Sequence, residues 1–368
     1  MSILGQSFLT YLKVVEHCNL NCHFCFYASG KAPKQLLDID EAIKWFHKLH
    51  DSAPWVESPA INFFGGEPML APIESLNRFI DSTSHLWQNR IRYTITTNLV
   101  YPLIKSKLNF LKRLNGVSTS WDSKSRFANE DQFNLWKSNC ISLIKDHGID
   151  LTLQICLTED TLKLPVTYIF DMVKEIGFSD VQFEKLSITG EMLENPQLLP
   201  DNKSLDSWFV EMYNIYKDGK YYEHFSNAYL NSIFSSILYN TFSGCRSRNC
   251  MTKVFTINSD QTIATCPNYS LLKDHQIGNM SQPILELLTS RTRQKSITCE
   301  ATVNPVCQVC PVYSICNSGC SASTTVYPDG SCSEAKSLMI YLQKEKNYSL
   351  YKEIIGDFQG QEKPINQT

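Results

Sequence analysis

The chain reads as an α/β protein: six strand–helix units forming a parallel sheet, open or curled into a partial barrel, then a small cysteine-rich domain and a C-terminal helix. Three observations predict it. Short β-branched and aromatic runs alternate with amphipathic stretches from the N-terminus to about residue 190. Two connections, Lys145–Asp150 and Lys174–Ser179, each set a glycine suited to a left-handed helix cap just ahead of a strand. After Gly244 the texture turns to Cys, Pro, Ser and Asn, and nine of the 14 cysteines fall between 245 and 332.

Taken in order, the strands are Phe8–Val15, Ala60–Phe64, Ile91–Asn98, Val117–Trp121, Ile149–Leu157 and Val181–Ser187. Strands separated by helices imply parallel pairing through right-handed crossovers, with reactive groups at the C-terminal strand ends. The helix Asp40–His50 follows Asp38 and Asp40, which can cap it, and sets Ile43, Phe46, Leu49 and His50 on one face. Residues 205–240 read as further helix, and the Tyr- and Phe-rich stretch from Tyr213 to Tyr239 reads as core rather than a substrate-stacking surface. A short strand, Val254–Asn258, opens a region with too little apolar material to pack well alone, so metal would supply much of its stability. The expected domains are 1–238, 239–335 and 336–368, the last a helix from about Glu334 to Phe358 with a frayed tail.

Composition narrows the function. With Lys+Arg 34 against Asp+Glu 37, a net charge of -3 and no dense basic run, nucleic acid is excluded as a partner. No stretch reaches the roughly 18 apolar residues of a membrane span, and no secretory leader opens the chain, so the expected location is the cytoplasm. In that reducing compartment clustered cysteines bind metal or do redox chemistry.

Cys18, Cys22 and Cys25 stand at C-x3-C-x2-C spacing directly after the first strand. Three ligands from one loop suit a cubane iron-sulfur cluster with one open iron; the alternative is zinc completed by His17 or His23. The second strand ends in Gly65-Gly66-Glu67-Pro68, the third in Thr96-Thr97-Asn98, the fourth in Ser118-Thr119-Ser120-Trp121-Asp122, and the aromatic Phe24 precedes the third cysteine. In this order they resemble the radical S-adenosylmethionine (SAM) superfamily over about the first 235 residues. The resemblance implies that Cys18, Cys22 and Cys25 hold a 4Fe-4S cluster whose open iron chelates SAM. It further implies that Gly65, Gly66 and Glu67 receive the methionine amino group, that Phe24 lies near adenine, and that Ser120 and Asp122 lie near the ribose. Asn98 joins the SAM-binding set as the strand-end residue. Relatives commonly read Ser-Leu-Asp-Gly and follow the strand-end Asn with Gly, so Trp121, Ser123 and Leu99 are departures.

Downstream, Cys307, Cys310, Cys316, Cys320 and Cys332 form C-x2-C-x5-C-x3-C-x11-C, with Cys245, Cys250 and Cys266 upstream. Eight thiolates make two four-cysteine sites, two zincs or two clusters on spacing alone. The run resembles the SPASM extension of radical SAM enzymes. The resemblance implies one auxiliary cluster on Cys245, Cys250, Cys266 and Cys320, and a second on Cys307, Cys310, Cys316 and Cys332. Gln261 stands where relatives carry Gly. Three 4Fe-4S clusters and SAM are thus the implied cofactors, with flavodoxin or ferredoxin as the electron donor and electron transfer as the role of the closed clusters.

Three cysteines remain. Cys140 reads as core, and Cys299 takes no assignment. Cys156, late in the fifth strand, is a weak candidate to donate a hydrogen atom to a substrate radical. Gln154, Gln182 and Glu184 alternate on strands whose inward face would reach substrate. The SPASM resemblance implies a maturase of ribosomally made peptides (a RiPP enzyme) or an anaerobic sulfatase-maturing, formylglycine-generating enzyme. Sulfatase activators follow the cysteine at Cys266 with an acidic base, whereas Pro267 and Asn268 follow here. The expectation is therefore a peptide maturase forming a crosslink, a carbon-carbon cyclophane or a thioether. Alternatives are formylglycine formation, peptide epimerisation, or a non-catalytic zinc or iron-sulfur protein. The first strand takes up the segment ahead of Cys18, so the precursor's leader is expected to dock on the two domains or on a separate leader-binding protein.

Overall fold

The computed structural model describes residues 4–359, with the side chains of Ser29, Cys245 and 357–359 outside the described set. Ten strands form one sheet: β1 (Ser7–Val15), β2 (Ser58–Gly65), β3 (Arg92–Thr96), β4 (Gly116–Trp121), β5 (Leu151–Cys156), β6 (Asp180–Glu184), β7 (Ser226–Asn227), β8 (Val254–Ile257), β9 (Thr262–Ala264) and β10 (Gln276–Asn279). Their order is β10-β9-β8-β1-β2-β3-β4-β5-β6-β7. Strands β1 to β7 pair in parallel, as the alternation of strand and helix predicts.

Period-two alternation gives this sheet two unlike faces. Ile61, Phe63, Ile95, Val117, Leu153, Ile155 and Val181 are buried. They pack under the helices: Phe63 meets Phe79 of the helix Ile73–Thr83 at 5.8 Å, and Phe79 meets Phe46 of the helix Ile39–Ser52 at 5.4 Å. The opposite face is half-buried and polar. On it Thr96 bonds Ser118 at 3.1 Å, and Ser120 donates to Gln154 at 3.1 Å. Gln154, Gln182 and Glu184 all belong to this face.

Several boundaries differ from expectation, each for a physical reason. Strand β3 stops at Thr96 rather than Asn98, because Thr97 and Asn98 turn to bond the Glu67 carboxylate. Strand β6 stops at Glu184 rather than Ser187, because Lys185 leaves the ladder for Glu334. The helical stretch 205–240 is two helices, Asn202–Asp218 and Ala228–Tyr239, split by β7; Tyr213, Tyr216 and Phe234 between them are fully buried core. The single C-terminal helix is also two, Lys336–Glu345 and Tyr348–Gln359, broken where Lys346 takes a left-handed conformation (φ 51°). The expected frayed tail at 360–368 lies outside the described residues.

The cysteine-rich region does not begin as a separate body. Strand β8 pairs with β1 in parallel, Leu9 opposite Val254 through Leu12 opposite Ile257, so the barrel sheet continues across the expected boundary at 238/239. Glu16, just past β1, seals the joint: it accepts from the Ser259 amide (3.2 Å) and hydroxyl (3.1 Å) and pairs with buried Lys13 at 2.6 Å. Beyond β10 the chain is helices and turns, and the helix Lys336–Glu345 packs on the helix Asn202–Asp218.

Candidate active site

The C-terminal ends of β1, β2 and β3 converge on the loop carrying Cys18, Cys22 and Cys25. Gly65 and Gly66 let β2 press against it: a Cβ on Gly65 (φ 129°) would collide with the Val15 carbonyl oxygen, and one on Gly66 with that of His17. The Gly66 amide donates to Val15 O at 2.8 Å and the Glu67 amide to His17 O at 3.0 Å. The Glu67 carboxylate is fully buried and accepts from Met69 N (2.9 Å), Thr97 Oγ1 (2.7 Å) and Asn98 N (2.6 Å). Burial pushes its pKa up to about 7 against those donors. Asn98 in turn donates to Cys18 Sγ (3.5 Å) and Asn19 Oδ1 (2.7 Å), while Asn19 holds Val100 O (2.7 Å). Leu99, where relatives carry glycine, takes the left-handed backbone all the same (φ 54°) while fully buried, a strain of about 1–2 kcal/mol.

Burial raises the Cys18 thiol to about 11 and the Cys22 thiol to about 12; at Cys22 the Arg126 guanidinium opposes the rise and nearby anionic groups add to it. Such thiols ionise only against a strong local cation, which is what bound metal supplies. Three sulfur donors on one loop, with no fourth thiol in it, fit an iron-sulfur cluster with one open corner. Among the described residues no three His, Cys, Asp or Glu side chains stand close enough to chelate a single ion, and this applies to zinc and to a cluster alike. His17 is turned toward Ala32 O at 3.3 Å.

Ser120 and Asp122 lie at the end of β4, and Asp122 stands within electrostatic reach of Cys22. Asp122 caps the following turn, accepting from Lys124 N (3.1 Å) and Ser125 N (2.7 Å), and its other oxygen is buried without a hydrogen bond. Arg126, which the sequence reading missed, approaches that oxygen with Nε at 3.8 Å, itself unpartnered and buried. Its guanidinium stands 5.3 Å from the Phe24 ring centroid and donates to Cys156 Sγ at 3.6 Å. The two atoms face each other as an ion pair too long for a hydrogen bond, which leaves both with hydrogen-bonding capacity that a nucleoside-bearing ligand beside Phe24 would satisfy. Burial pushes the Cys156 thiol up to about 12, so it stays protonated. Glu184 stands opposite Cys156 in the β5–β6 register, and the desolvation of its surroundings raises its pKa while Lys185 opposes the rise.

In the C-terminal region, Cys307, Cys310, Cys316 and Cys332 line one small cavity together with Thr324, Glu334 and Lys336. Cys266 and Cys320 stand within electrostatic reach of each other, and burial raises the Cys266 thiol to about 12. Cys250 donates its amide to Glu300 Oε1 at 3.0 Å, and that carboxylate also acts on Cys266. The Cys245 side chain lies outside the described residues. Gln261 takes the left-handed backbone (φ 70°) that glycine adopts most readily, and its amide donates to Asn258 O at 2.9 Å in the β8–β9 turn. Asn268 is held between the domains, its amide donating to Ser187 Oγ at 2.8 Å. Cys140 is buried core, and Cys299 is exposed on the helix Arg291–Ala301. Charged hydrogen-bond partners far apart in the chain, such as Arg126, Lys185, Glu300 and Glu334, carry no local sequence signature.

No family model matches the chain. It is 24% identical over 327 residues to the cysteine-type anaerobic sulfatase-maturating enzyme of Clostridium perfringens, covering 82% of this chain and 85% of that protein. The enzyme of the same name from Clostridium novyi is 24% identical over 369 residues, 91% of this chain and 93% of that one. The radical SAM cyclopropyl synthase TigE of Paramaledivibacter caminithermalis is 25% identical over 190 residues, 46% of this chain and 39% of its own length. Among solved structures, AdoMet-bound anSMEcpe superposes with a TM-score of 0.73 at 19% identity over 96% of both chains. Streptococcus suis SuiB bound to S-adenosylmethionine gives 0.60 at 16% identity over 86% of this chain and 73% of that one. The homologues are radical SAM enzymes, and the fold is that of radical SAM/SPASM proteins. Among the described residues no helix is long and apolar enough to cross a membrane.

Proposed function

We propose that this chain, a radical SAM enzyme by its homologues, modifies a ribosomally made precursor peptide and forms an intramolecular crosslink in it. Cys18, Cys22 and Cys25 would hold the SAM-binding cluster; Gly65, Gly66, Glu67 and Asn98 would shape the pocket for the methionine end, and Phe24, Ser120 and Asp122 that for the nucleoside. When bound, that group supplies a 5′-deoxyadenosyl radical that takes a hydrogen atom from a substrate carbon. The two four-cysteine sets would hold closed clusters. Peptide as substrate draws support from neighbours solved with peptides: anSMEcpe with Cp18Cys, and SuiB with its precursor SuiA. The polar sheet face from Asn62 to Gln182 offers extended backbone many hydrogen-bonding partners.

The observation that carries crosslinking over formylglycine formation is Asn268. After Cys266-Pro267 the chain presents an amide already engaged with Ser187, which cannot take a proton. Similarity over 82% of the chain to a sulfatase-maturating enzyme favours the second reading. The test is product mass after incubation of reconstituted enzyme, SAM and a low-potential reductant with candidate peptides, including one encoded beside the gene. Loss of two hydrogens with an internal link is expected. An aldehyde trapped by hydrazide from a Cys- or Ser-containing sulfatase peptide would replace crosslinking with the second reading, and unchanged mass with deuterium at an α-carbon would indicate epimerisation.

A further inference from the structure

Besides the β1–β8 pairing and the Glu16–Ser259 bonds, a buried ion pair ties barrel and cysteine-rich region together. Lys185, the first residue after β6, donates to Glu334 and, at 3.0 Å, to Thr324 Oγ1. Glu334 and Thr324 are both walls of the cavity that Cys307, Cys310, Cys316 and Cys332 share. Thr324 also donates to Glu334 at 2.6 Å, and Tyr229 reaches its second oxygen at 3.3 Å. The backbone is cut to fit: Gly319 is left-handed (φ 65°), and a Cβ there would collide with the Glu334 carboxylate and stand 2.7 Å from Thr324 Oγ1. Gly319 lies between Cys316 and Cys320, so the pair sits at the junction of the two four-cysteine sets.

A packing role alone does not call for charge here, since an apolar pair of similar volume is commonly as stable. We infer that Lys185 and Glu334 are positioning residues that set the reduction potential of an iron-sulfur group held by Cys307, Cys310, Cys316 and Cys332. The inference rests on the reading of those cysteines proposed above. Reduction adds negative charge to a cluster, so a fixed cation beside it favours the reduced form and a fixed anion opposes it; in a site shielded from water both act strongly. The pair holds the two opposing charges in fixed places. The Lys185 ammonium meets the Glu334 carboxylate directly and is held there by Thr324, so the cation stays fixed beside the cavity.

The test uses the full chain with Cys18, Cys22 and Cys25 replaced by Ala, which leaves the C-terminal sets alone to bind iron. Iron content is measured first: about eight irons are expected for two clusters of four, and a protein without iron there defeats the reading of the cysteines, and this inference with it, before any potential is read. In EPR-monitored redox titrations Lys185→Met should move one midpoint to more negative potential, and Glu334→Gln should move the same midpoint to more positive potential. Lys185→Arg, which keeps the charge, should retain the wild-type value. If Lys185→Met loses iron, Glu334→Gln tests the inference by itself. Full iron with every midpoint unmoved, or both midpoints moving together in one sense, would overturn it while leaving the cluster reading intact.

Discussion

The two cysteine regions are built in opposite ways. The loop Cys18–Cys25 is held by the barrel: Val15, His17, Glu67 and Asn98 fasten it with backbone and side-chain bonds that need no metal. Residues 305–332 have helices of four residues, Pro305–Gln308 and Tyr313–Cys316, and a single isolated bridge between Val326 and Cys332. One region is fastened by bonds of the fold itself, whereas the other has few of them, and in the cluster reading proposed above metal would supply the rest. A reactive site gains from the first arrangement, because a preorganised loop keeps its shape when SAM comes and goes. A closed, fully ligated site can use the second.

The largest effect should come from stripping iron. Chelation of the whole protein should raise amide hydrogen exchange across 305–332 by roughly two orders of magnitude or more, because binding energy there is folding energy, and leave β2 to β5 protected. Equal protection in both regions would erase the contrast. Gly66→Ala should come next: its Cβ drives into the His17 carbonyl and shifts the first loop, so SAM cleavage without substrate should fall about 100-fold, with iron at the C-terminal sets retained. Retained cleavage would show that the loop is not fastened as tightly as its bonds suggest.

A smaller effect is expected for Glu67→Gln. The amide can accept at one end only and turns a donor toward Asn98 N–H, costing about 1–3 kcal/mol in denaturant unfolding. The smallest concerns Glu345, which ties the C-terminal helices to Asn202–Asp218 by accepting from Tyr213 (2.6 Å), Tyr351 (2.9 Å) and Lys217 (3.1 Å). Burial opposes its charge, but these donors outweigh it and lower its pKa below 4.5. A carboxylate with a lowered folded pKa stabilises above its unfolded pKa and loses that contribution as pH falls. Glu345→Gln should therefore cost about 1 kcal/mol at neutral pH, with the gap to wild type closing as pH falls below about 4.5. A gap that persists in acid would mean that packing, not charge, holds this end.

Much of the architecture was legible before folding because it rests on periodicity. The six barrel strands fall within a few residues of their expected places, and Gly177 caps its helix in the left-handed conformation (φ 98°). The errors cluster where a distant partner overrides local preference. Strand β3 ends early for Glu67 and β6 for Lys185, and neither partner is visible in the local pattern. Leu99 and Gln261, departures from the glycines of the resembling families, both take the left-handed backbone that glycine adopts most readily.

Spacing along the chain was enough to single out the three-cysteine loop, the Gly-Gly-Glu turn and the eight downstream thiols, because ligands from one short segment must keep a short, regular separation. Folding alone could show that β8 extends the barrel sheet, that Arg126 faces Cys156 and Phe24, and that Lys185 meets Glu334 across 149 positions. Such contacts join residues whose separation in sequence is arbitrary, and a buried charge finds its partner through the shape of the whole chain.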